Sequence, residues 1–317
     1  MASGATIPFT ATRVLLPLVA AQPVIEGWSS RAPVQTPRQE VALAALHAKL
    51  YIFGGFGPNR ETLNTAEVYH PISDTWTSLT PMLVGVHHPT AAAVNGKLYV
   101  IGGYAIVTPT HAVQEYDPLT NQWRRKRDMP TARGALASAV IDGKVYVAGG
   151  ARGQSVGDFA VYDPASDQWN TLPAMPTVRD HLGAAAIGDK FYAVGGRQPG
   201  NFTLAVLEVF DPTTNTWQTL APMPTGRSGH AAAALHGCLY AVGGEGSDRP
   251  RGAFGENERY HPQTNTWASS IFMPTPRHGI GAAVLNKHLY IPAGADIAGY
   301  GAVKIHEVFT SDLVCDD

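Results

Sequence analysis

Short apolar alternations, broken by turn residues, run the length of the chain. The pattern is clearest between Arg179 and Trp217. Gly183-Ala184-Ala185-Ala186 leads to a tight turn at Gly188-Asp189, and Phe191-Tyr192-Ala193-Val194 then ends in Gly195-Gly196. After a variable loop, a second hairpin passes through Phe210, turns at Asp211-Pro-Thr-Thr-Asn-Thr and closes with Trp217. Apolar alternation bounded by Gly, Pro, Asn and Asp predicts four short strands joined by turns. Such a unit cannot bury both faces of its own sheet, so it needs copies of itself.

The copies are explicit. Glycine pairs stand at Gly54-Gly55, Gly102-Gly103, Gly149-Gly150, Gly195-Gly196 and Gly243-Gly244, with a degraded pair at Ala293-Gly294. Successive first positions are 48, 47, 46, 48 and 50 residues apart, and Trp28, Trp76, Trp123, Trp169, Trp217 and Trp267 keep the same intervals. Tyr69, Tyr116, Tyr162, Phe210 and Tyr260 each precede a tryptophan by seven residues, with a proline two residues after each aromatic. Arg38, Arg133, Arg179, Arg227 and Arg277 occupy one slot before the glycine pairs, and Val86 fills it in the second copy. Glycine suits the turn that ends the second strand. The flat aromatics suit the gap between neighbouring sheets, and alanine runs such as Ala231–Ala234 suit the crowded innermost strands. The arginines, recurring at one slot, are expected to make structural hydrogen bonds between blades.

A double glycine followed by spaced Tyr and Trp, in repeats of about fifty residues, resembles the kelch-repeat family, in which each repeat forms one four-stranded propeller blade. The resemblance spans roughly residues 22 to 310. It implies an all-β fold, a six-bladed β-propeller of four-stranded antiparallel blades, over residues 22–317. The sixth repeat lacks a tryptophan strand while the N-terminus has a spare one, so the strand containing Trp28 is expected to complete the last blade and remove the open seam.

Composition adds mainly exclusions. Only 15% of residues are charged and the formal net charge is -2, which argues against a nucleic-acid partner. No apolar stretch reaches the roughly 18 residues needed to span a bilayer. Residues 1–21 form an N-terminal arm in which Val14–Ala21 resembles a weak secretory signal, thin in charge and interrupted by Pro17. A cytoplasmic monomer is the expectation, with secretion as the alternative. Cys238 and Cys315, two widely spaced cysteines, make neither a disulfide framework nor a metal-ligand pattern. Nucleophile elbows, phosphate-cradling loops and Cys-x-x-Cys motifs are missing.

Function is expected on the loops at one mouth of the central channel. The resemblance points to the residue after each glycine pair and to those just after the arginine slot. Phe56, Tyr104, His87, Arg197, Ser228, Glu245 and His278 are the candidate ligand-binding residues. Glu40, His88, Asp180 and His181 are the candidate catalytic residues if the protein is an enzyme. The first expectation is a module that binds a protein or peptide partner and needs no cofactor. The alternative is a small-molecule enzyme, an epimerase, isomerase or lyase acting on a sugar or sugar acid. Histidine titrates near neutral pH and suits acid–base work. The same imidazoles and carboxylates could hold a divalent metal.

Overall fold

A computed structural model describes residues 1, 25–247 and 250–315 of the chain. Apart from Met1, the arm at residues 1–21 lies outside the described residues. The architecture is six four-stranded antiparallel sheets arranged as blades. Among the described residues the only helical element is a 3-10 turn, Pro250–Gly252. The fourth blade is typical, with strands Gly183–Ile187, Lys190–Val194, Leu207–Asp211 and Thr216–Thr219. Its register sets Ala185 opposite Tyr192 and Phe210 opposite Trp217. In the sixth blade Glu26–Ser30 pairs with His306–Ser311, which puts Trp28 opposite Phe309.

Alternating strand faces fill the gaps between blades. Phe53 of the first blade meets Trp123 of the second edge-on at 5.5 Å, and Phe159 of the third packs on Phe191, Phe210 and Trp217 of the fourth. The indole N–H of each tryptophan crosses its gap to a carbonyl four residues after the preceding tryptophan. Trp76 donates to Ala32, Trp123 to Thr80, Trp169 to Arg127, Trp217 to Pro173, Trp267 to Ala221, and Trp28 to Ile271. The six bonds, 2.8–3.0 Å long, close on themselves around the ring. A half-buried indole thus keeps its one donor satisfied.

The five slot arginines are fully buried, and among the described residues their side chains bond to groups of their own repeat. Arg38 pairs with Glu67, Arg179 with Glu208, Arg227 with Glu258 and Arg277 with Glu307, at 2.5–2.8 Å. The bond between blades belongs to the main chain at this slot, whose carbonyl accepts from the second glycine of the preceding pair, as Arg133 does from Gly103. Val86 does the same for Gly55, so the slot survives loss of the guanidinium. In that repeat the carboxylate partner is also replaced, by Gln114, which bonds the backbone of Val84 through both amide atoms. Gly55 has φ +99°, and a side chain there would meet the Gln39 carbonyl at 2.5 Å. The degraded pair keeps the same backbone, with Ala293 in the left-handed region at φ 63°.

The two cysteines form a disulfide, contrary to the sequence expectation. Cys238 lies on the second strand of the fifth blade and Cys315 on the tail beyond the sixth, a separation of 77 residues. Linear spacing hid their proximity, because the ring brings the C-terminal tail back over the fifth blade. Cys315 N–H also donates to the His236 carbonyl.

Candidate functional site

The site is built on a ring of backbone. The second residue after each arginine slot adopts a left-handed conformation: Glu40, His88, Ala135, His181, Gly229 and Gly279, with φ between 52° and 61°. Each N–H donates to the carbonyl of the equivalent residue one blade away, from Glu40 to Gly279, His88 to Glu40, and on through Ala135, His181 and Gly229 back to Gly279. These six bonds, 2.7–2.9 Å long, form a closed cycle on the propeller axis. Left-handed backbone costs a non-glycine residue roughly 1–2 kcal/mol, which the surrounding fold must over-determine. Gly279 has a further reason to be glycine, since a Cβ there would lie 2.6 Å from Oε1 of Glu40.

Three of the six positions send functional side chains to one point. Donor atoms of Glu40, His88 and His181 lie within 4.8 Å of one another. They form part of the floor of a recess of about 900 Å³. Behind the ring lies a separate chamber of about 80 Å³, which the same three residues border together with the buried His230. One wall of the recess is aromatic: His87 stacks on Phe56 at 3.7 Å and on Tyr104 at 5.3 Å, and Tyr300 meets Phe56 at 5.4 Å. The outer rim is apolar and exposed, at Ile106, Val107, Phe202 and Tyr300.

The polar groups form one continuous arc around the mouth. His87 Nε2 donates to the Ile106 carbonyl, so Nδ1 of a neutral His87 accepts from His88 Nδ1 at 2.6 Å. His88 Nε2 faces Glu40 Oε2 at 3.2 Å. Glu40 Oε1 lies 3.7 Å from His278 Nδ1, which is 3.4 Å from Glu245. Glu245 accepts from Arg197 Nη1 at 2.8 Å. Arg197 also donates through Nε to Asp180 and through Nη2 to His181 Nε2. His181 Nδ1 donates to Asp180 at 2.5 Å, and Ser155 donates to the other Asp180 oxygen.

This arrangement sets the protonation states. Burial, followed by the neighbouring His181 and His87, pushes His88 down to about 3 despite the Glu40 carboxylate. Burial opposes ionisation of Glu40, but the surrounding histidines outweigh it and hold the carboxyl well below its usual range. Asp180 falls to about 2, burial being overcome by its bonds from His181 and Ser155 and by the charge of Arg197. Burial would lower His278, but the carboxylates of Glu40 and Glu245 raise it above the ordinary histidine value. His88, pushed down, and His278, raised, therefore flank one ionised carboxylate.

Most sequence candidates converge here: Glu40, Phe56, His87, His88, Tyr104, His181, Arg197, Glu245 and His278 all line the recess. Asp180 stands behind His181 and Arg197 and orients them rather than facing the recess. Ser228 does not join: it is fully buried and outside the lining. Sequence reasoning missed Ser155, Arg60, Phe202 and Tyr300. The last three come from variable loops that carry no repeat marker, so only the closed ring reveals that they meet.

Fold and site together define a six-bladed β-propeller with a recessed polar mouth. The KLHDC2/KLHL20/DRC7 Kelch-repeats domain matches residues 24–175 and 170–294, and the chain belongs to the kelch-repeat family. Among solved structures, that of YjhT is 21% identical, covering 90% of this chain and 98% of its own, with a TM-score of 0.76. At that identity the likeness shows the fold alone. A search of curated proteins finds no match.

Proposed function

We propose that the protein binds a small polyhydroxylated molecule, of the sugar or sugar-acid class, in the mouth recess and moves protons on it. The observation that carries this reading is the convergence of Glu40, His88 and His181, from three blades, on the floor of a 900 Å³ recess. That volume suits one small molecule held by a few convergent polar groups. The Phe56–His87–Tyr104 wall offers flat faces for the C–H surface of a sugar ring. His88, in the floor beside Glu40, is the base in this reading, and His278, held between Glu40 and Glu245, is the acid. Glu40 contacts both and stays ionised throughout, stabilising the proton on either side.

NMR exchange spectroscopy on a panel of aldoses and sugar acids tests the reading by following anomer or epimer interconversion. Accelerated exchange is expected for a member of the panel, reduced about 100-fold or more in His88→Ala, the scale of a lost general base. No binding and no exchange across the panel would overturn it. The exposed rim residues Ile106, Val107, Phe202 and Tyr300 favour a second reading, a peptide or protein partner seated over the mouth. In that case a peptide-array screen yields a binder whose affinity drops in Phe202→Ser.

A further inference from the structure

We infer that Glu40, His88 and His181 form a site for one divalent transition-metal ion of the zinc class. The hydrogen bonds at the back of the site carry the argument. His181 Nδ1 donates to Asp180, leaving its Nε2 as a lone pair. His88 Nδ1 donates to His87 Nδ1, whose ring is fixed in that role by the bond from its Nε2 to Ile106, and this leaves Nε2 of His88 as a second lone pair. The His88 lone pair faces the Glu40 carboxylate, and the ligand atoms of all three residues lie within 4.8 Å of one another. An imidazole nitrogen and a carboxylate oxygen 3.2 Å apart need a proton or a metal ion between them, so this pair is a place where either can sit. Imidazoles held by a partner on the far nitrogen are what metal sites require, because that bond fixes the tautomer and ring orientation. Two nitrogens and one carboxylate oxygen, with the recess open on the remaining side, match the three-ligand sites of zinc and its neighbours.

Two adjustments are needed. In a tetrahedral site, ligands about 2.1 Å from the ion stand roughly 3.4 Å apart, so a separation of 4.8 Å must close by about 1.4 Å. Arg197 Nη2, now 2.9 Å from His181 Nε2, must release that lone pair. The guanidinium keeps Glu245 and Asp180 when it does so. It is thus a cation competing for the same acceptor, and its removal should strengthen metal binding. The inference rests on the recess being the functional site. With an ion in place, its open positions would take substrate oxygens, His88 would be a ligand and no longer the base, and His278 would keep the acid role.

Co²⁺ titration of the chelator-stripped full chain, read by visible d–d absorption, with Zn²⁺ competition by calorimetry, tests the site. One equivalent is expected, with affinity weakened about 100-fold or more in His88→Ala, His181→Ala and Glu40→Gln. Asp180→Asn, which removes only the partner behind a ligand, should weaken it about 10- to 100-fold, and Arg197→Met should tighten it. Thermal melts identify any variant that fails to fold, and Asp180→Asn and Arg197→Met keep the test open if a ligand variant does. Absence of a Co²⁺ band, or binding indifferent to Glu40→Gln and His181→Ala, overturns the inference. Sugar exchange that persists in chelator would sink the metal and leave the proton-transfer reading standing. Metal binding without any exchange would do the reverse.

Discussion

Single residues of this ring fall into two groups, those that hold it and those that equip it. His306 belongs to the first. It sits at the seam, donating through Nδ1 to the Ala32 carbonyl at 3.2 Å, edge-on to Tyr69 at 4.6 Å. Burial lowers its pKa to about 4. A histidine whose folded pKa lies below its unfolded value of about 6.5 favours the unfolded chain once protons bind. Its effect is absent above about pH 6.5 and grows as pH falls toward 4, reaching roughly 3 kcal/mol. Urea unfolding of wild type and His306→Gln between pH 7.5 and 4 should show the wild type losing more stability over that window; parallel curves would refute this. The buried arginines make the other residue-scale case. Glu208→Ala strands Arg179 without its counter-charge and should cost about 3–5 kcal/mol, whereas Arg179→Met with Glu208→Leu should cost less than that single change. Denaturant midpoints of the single and double variants decide it. The arginine slot was visible in the sequence, but its partner was not. Glu67, Glu208, Glu258 and Glu307 sit among ordinary strand residues, and nothing short of the register shows that they face a guanidinium.

At the scale of elements, strands and turns were legible because each repeat states them again. The glycine pairs, aromatics and tryptophans fix where every strand begins and ends. The link between tail and fifth blade was illegible for the opposite reason: it occurs once, between residues 77 apart. Cys238 and Cys315 fasten the end of the closing blade to its neighbour, and both are buried. A crosslink of this span typically contributes 2–4 kcal/mol by restricting the unfolded chain. Reducing agent, or Cys315→Ser, is expected to lower the thermal midpoint, and a melt unchanged by either would show the link to be dispensable. Disulfides persist in oxidising compartments and are rare in reducing ones, which counts against the cytoplasmic expectation. The recess lies between these extremes. Its floor follows the repeat beat and was named residue by residue, while Phe202, Tyr300 and Arg60 come from loops whose lengths differ from blade to blade.

Taken whole, the molecule separates two kinds of closure. Hydrophobic contacts and six indole bonds close the ring at its periphery, and six amide bonds close it at the hub. The hub makes its bonds with main chain alone, so apart from Gly279, where a side chain would meet Glu40, it asks of each residue only tolerance of a left-handed backbone. Three of the six places hold Glu40, His88 and His181, and the other three hold alanine or glycine. Such a hub works like a socket with interchangeable contacts. Descendants of one ring can exchange a charged residue for an alanine at any spoke and inherit an intact scaffold with a new specificity. The chemistry of the mouth is therefore free to drift faster than the fold that carries it.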